Sequence, residues 1–152
     1  MSRTDLPEEP DFFDLLTESY MRFVGSPLPS SHLGPGWLYE EAPFAVLAHN
    51  TEADPRFVYA NRVAQRCFEY SWAEFDSMPS RLSAEAPIRA ERQRLLDAVT
   101  RDGYVSGYRG IRIAKSGRRF WIEDGIVWQL VDAGGVYRGQ AAMFATWKDV
   151  AP

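Results

Sequence analysis

The residues able to do chemistry are one thiol, Cys67, and two imidazoles, His32 and His49, in a chain of 152 residues. A thiol becomes a nucleophile or a metal ligand when nearby positive charge lowers its pKa. Cys67 follows Ala64 by three residues, on the apolar side of an expected helix, where a cysteine packs as a small hydrophobe. The two histidines lie far apart in sequence, and with one cysteine they make no ligand cluster for a metal. Glu123 and Asp124 are adjacent on an extended stretch, so they face opposite sides and cannot work as an acid–base pair. Asp124 shares parity with Ile122 and Ile126 and is expected to point inward, paired with an arginine or touching a ligand. No serine sits in a G-x-S-x-G elbow, and no helix follows Gly134-Gly135 or the Gly107/Gly110 pair to make a phosphate loop. These residues point to binding rather than catalysis.

The aromatic residues Tyr59, Phe68, Trp72, Tyr108, Trp121 and Trp128 either line a pocket for a flat or oily ligand or fill the core. The pocket candidates taken from the pattern are Tyr59, Asn61, Cys67, Phe68, Trp72, Tyr108, Ile111, Asp124, Trp128 and Met143. Asn61 also reads as a helix N-cap, whose side-chain acceptor is already used.

Composition narrows the partners. The net charge of -4 makes the chain a poor match for a phosphate backbone, so no nucleic-acid partner is expected. No segment approaches the ~20 apolar residues of a membrane span. The start of the chain lacks the basic and apolar runs of a signal peptide, which makes cytoplasm the expected location. A single cysteine allows no internal disulfide, in keeping with a reducing compartment.

The elements that must position these residues follow from hydrophobic spacing. Residues 1–10 read as a disordered tail, polar and acidic with two prolines. Phe12, Leu15, Leu16, Tyr20, Phe23 and Val24 form one stripe of an amphipathic helix over 11–24, with Asp11 at its N-cap. Residues 25–36, rich in Pro, Gly and Ser, read as a linker to a main domain over 37–150. Residues 44–49 and 56–60 predict a hairpin of two strands. Asn61 opens a helix, Ser71-Trp72-Ala73-Glu74 has the form of a capping box, and Pro87 starts a longer helix closed by Gly103. Three strands follow, over 104–114, 118–131 and 136–147, joined by tight turns.

Along the 118–131 strand, Phe120, Ile122, Ile126, Trp128 and Leu130 share one parity, and Trp121, Val127 and Val131 the other. Both faces are partly apolar, so both need cover. The central helices can cover one. The N-terminal helix, or a second copy of the chain, must cover the other. The expected fold is α+β: a five-stranded antiparallel sheet with helices on one face and an extra N-terminal helix, with a pocket between sheet and helices.

The run Arg56-Phe57-Val58-Tyr59-Ala60-Asn61, continued by Phe68-Glu69-Tyr70-Ser71-Trp72-Ala73-Glu74-Phe75 and by Met78-Pro79-Ser80-Arg81, resembles the MEKHLA domain, a PAS-related family. The resemblance covers about 37–150. It implies a PAS-like sensory fold without specifying a ligand, since PAS domains hold haem, flavin, small metabolites or nothing. The light-sensing relatives carry their flavin-adduct cysteine on a later helix than the one holding Cys67. The haem-binding relatives use a histidine on the long helix, and residues 87–101 contain none. Haem and flavin are therefore not expected, and no cofactor is assigned. The two-faced 118–131 strand beside a separate amphipathic helix makes the leading expectation a sensory module, a homodimer, that binds a small apolar or aromatic ligand and signals through its N-terminal helix or dimer interface to a protein partner. Two rivals remain: an interaction module with a filled core, and a small curved-sheet α+β enzyme using Asp124 or His49 as a base.

Overall fold

The computed structural model describes residues 10–84 and 86–150. The tail expected over 1–10 lies outside them, except Pro10. Helix α1, Pro10–Val24, forms where the apolar stripe predicts it, with Asp11 in its first turn rather than at its cap. Leu28, in the stretch expected as a linker, is completely buried, and the chain then enters α2, Pro35–Glu40. Strands β1, Ala45–His49, and β2, Phe57–Ala60, pair antiparallel as the expected hairpin. Three helices follow: α3, Arg62–Phe68; α4, Trp72–Phe75; and α5, Ala86–Asp102. The chain ends in β3, Tyr104–Ile113, β4, Arg119–Val131, β5, Tyr137–Phe144, and β6, Thr146–Asp149.

Among the described residues the sheet has six strands in the order β2-β1-β5-β4-β3, with β6 paired to β4. The sixth arises because the last expected strand breaks at Ala145 into β5 and β6, which share β4 as neighbour. The break lies opposite an irregularity in β4. Between the pairs Tyr108↔Gly125 and Gly110↔Ile122, two residues of β4, Glu123 and Asp124, oppose one of β3. This is a β-bulge, and Asp124 takes its left-handed position at φ 50°.

The bulge corrects the parity reading. One extra residue flips every side chain beyond it to the other face. Phe120 and Ile122 join the cluster under α3 and α4, whereas Trp128 and Leu130 join the opposite cluster under α1. Asp124 is exposed and does not point inward as expected. The inference that both faces need cover holds. Leu16 and Tyr20 of α1 are buried against Trp128, with the Tyr20 and Trp128 rings edge to face at 4.9 Å. The Trp128 indole N–H donates to the Leu16 carbonyl at 3.2 Å, and Ser19 Oγ bonds both the N–H and the carbonyl of Val131. No helix among the described residues is long and apolar enough to cross a membrane.

Candidate functional site

A cavity of about 70 Å³ lies between the inner face of the sheet and α5. Leu47, Phe57, Phe68, Ile122, Val127 and Phe144 give it apolar walls, and Leu95 and Leu96 of α5 form its roof. The walls come from strands whose period-two alternation turns every second residue inward: Leu47 pairs with Ala142, and Val127 pairs with Ala142 from the other side. Polar groups enter at few places: His49, Ser80, Ser83, Tyr108, Arg112 and Gln140. The Gln140 side chain is 3 % exposed and its Oε1 has no hydrogen-bond partner.

Two glycines shape this wall. A Cβ on Gly139 would sit 2.0 Å from the His49 carbonyl oxygen, so only glycine lets β5 approach β1 there. A Cβ on Gly110 would sit 2.1 Å from the Tyr108 hydroxyl, so the glycine makes room for that ring to lie back over its own strand. The Arg112 guanidinium then sits 5.4 Å from the Tyr108 ring centroid.

Of the residues chosen from sequence, Phe68, Tyr108 and Met143 border the cavity. Tyr59 and Trp128 lie in the opposite cluster, Tyr59 stacked on Phe12 at 5.3 Å. Ile111 is half-buried opposite Trp121 on that same outer side of the sheet. Trp72 is buried in the inner core, away from the cavity. Asn61 is completely buried and bonded only to backbone: Oδ1 accepts from Val46 N and Ala64 N, and Nδ2 donates to the Leu38 and Phe44 carbonyls. Cys67 is 1 % exposed and does not line the cavity. Burial pushes its thiol up to about 12, with the Arg118 guanidinium opposing only in part. At neutral pH it is a protonated hydrophobe, not a nucleophile. Sequence reasoning missed Arg112 and Gln140. Strand parity carried no signal for them, since Ser106 shares the parity of Arg112 on β3 and Arg138 that of Gln140 on β5.

Residues 10–149 match the MEKHLA domain family. The chain belongs to that family. No curated protein matches it. Solved structures place the MEKHLA fold among PAS and light-oxygen-voltage domains. A PAS domain from Colwellia psychrerythraea has a TM-score of 0.60 at 15% identity, over 76% of this chain and 92% of its own. An RNA-binding light-oxygen-voltage receptor has a TM-score of 0.60 at 25% identity, over 82% of this chain and 35% of its own. A blue-light-activated histidine kinase from Erythrobacter litoralis has a TM-score of 0.59 at 17% identity, over 76% and 35%. The MEKHLA chain thus spans about a third of the length of those two proteins.

The cofactors of such sensory folds do not fit this cavity. Its 70 Å³ is less than half of the ~150 Å³ that holds one benzene ring, and a three-ring flavin or a haem is larger again. The sole thiol lies elsewhere, α5 carries no histidine, and no cluster of metal-ligating side chains occurs among the described residues.

Proposed function

We propose that this MEKHLA domain is a sensory module that binds rather than catalyses. A small, mainly apolar molecule enters the cavity under α5, and α1 on the opposite face carries the response, within a homodimer. One observation carries the reading. In β4, Val127 lines the cavity while the next residue, Trp128, bonds the backbone of α1 on the other side. A ligand that moves β4 therefore biases the seat of α1 across a single strand. Gln140 Oε1, buried and unpaired, gives the apolar cavity one orienting acceptor.

The test titrates butan-1-ol and butyramide into the folded domain, following cavity methyl resonances and amide exchange in α1. At a probe concentration of 100 times Kd, linkage predicts about 2.7 kcal/mol of stabilisation, which is roughly 5–10 °C in Tm. Binding that leaves α1 exchange unchanged would remove the signalling part. The small cavity volume favours a second reading, an interaction module with a packed core. That reading predicts no methyl shifts with any probe.

A further inference from the structure

We propose that the molecule this cavity takes is a carboxylate with a slim aliphatic body, and that Arg112 is the residue that holds its charge. The proposal rests on the small-molecule reading above and names the ligand class. Arg112 stands between Ile111 and Ile113 on β3, opposite Phe120 of the inner core, so its side chain leaves the inner face of the sheet. It is 8 % exposed. Its contacts are the Ile111 carbonyl at 2.8 Å and the face of the Tyr108 ring. Among the described residues, no carboxylate reaches it.

The contrast within the chain is what gives this weight. Arg62, Arg81, Arg109, Arg118 and Arg138 each bond a carboxylate, and each is more exposed than Arg112. Surface pairs of that kind gain little, because water already solvates both charges. Arg112 is the reverse case. A guanidinium cannot lose its proton at physiological pH, so burial leaves a fixed positive charge needing an anion or several acceptors. One carbonyl and one ring face answer part of that need. The remaining donors of a planar fork match a carboxylate, which can take two parallel hydrogen bonds. Most of the cavity's lining is hydrocarbon and aromatic, which suits an aliphatic body. The volume of about 70 Å³ holds on the order of five water-sized groups, which sets the body at a short chain.

The measurement is a calorimetric titration of the folded domain with butyrate and with its neutral isostere butyramide. Butyrate is expected to bind on the order of 10- to 100-fold more tightly, the range of a charge-assisted pair. Arg112→Met is expected to abolish that preference while leaving weak butyramide binding. Arg112→Lys keeps the charge and is expected to restore part of the preference, and Arg112→Gln, neutral and polar, replaces the methionine variant should that one fail to fold. Equal binding of the two probes by the unaltered domain would overturn the role of Arg112 while leaving the small-molecule reading intact. A preference that survives in Arg112→Met would overturn it equally. Binding of neither probe would remove both.

Discussion

Asn61 uses its whole side chain on backbone, and all four of its bonds lie between 2.9 and 3.1 Å in the interior. It caps α3, holds the start of β1, and fixes α2 through the Leu38 carbonyl. Removing it leaves two buried N–H groups and two buried carbonyls without partners. At about 1–3 kcal/mol for a buried polar group left unpaired, partly relieved by relaxation, Asn61→Ala is expected to cost about 3 kcal/mol of stability. Urea unfolding measures this, and a loss below about 1 kcal/mol would mean that water replaces the side chain. The cap was legible from sequence, because an Asn between a strand and an apolar helix is a local signal. The two donated bonds were not legible, since they join residues 17 and 23 positions away. Arg112 and Gln140 escaped for a related reason. Parity tells which residues share a face, but only the assembled sheet tells which part of that face is left open.

At the scale of elements, α1 and the bulge in β4 depend on each other. The stripe of α1 was readable because helical spacing is local. The bulge was not, although Asp124-Gly125 is a pair that readily takes left-handed backbone. Read as a regular strand, β4 carries Trp128 to the helix-covered face. The extra residue instead sends it to α1, which gives the helix an aromatic partner and an indole hydrogen bond. Leu16 sits at the centre of that contact and is fully buried, whereas Met21 on the same helix is 46 % exposed. Leu16→Ala is therefore expected to cost about 2–4 kcal/mol, and Met21→Ala under about 0.5 kcal/mol. Thermal unfolding of the two variants decides. Equal, small losses would mean that α1 leaves the sheet in solution, and with it the route by which β4 could signal.

At the scale of the whole molecule, the second half of the chain is stitched to the first at the tip of the β3–β4 hairpin. Lys115 N donates to the Phe68 carbonyl, the Glu69 carboxylate accepts from Ser116 N and Arg118 Nε, and Glu74 takes the Lys115 ammonium. The bonds from Ser116 lower the Glu69 pKa, with Arg118 adding to the effect. The Lys115 hydrogen bond brings Glu74 down to about 2. The sign follows from linkage. A carboxyl whose pKa is lower in the folded chain than in the unfolded one favours folding above the unfolded value. That contribution is lost as pH falls through the folded value. For Glu74 the window runs from the ordinary glutamate value of 4.5 down to about 2. Both groups are solvent-facing, so salt screens the effect and it remains small. Tm is expected to fall across that window in the unaltered domain, and to fall less steeply in Glu74→Gln or in high salt. An identical acid limb in Glu74→Gln at low salt would mean that the Lys115–Glu74 pair adds nothing, and that the tip is held by the Lys115–Phe68 backbone bond and the Glu69 carboxylate.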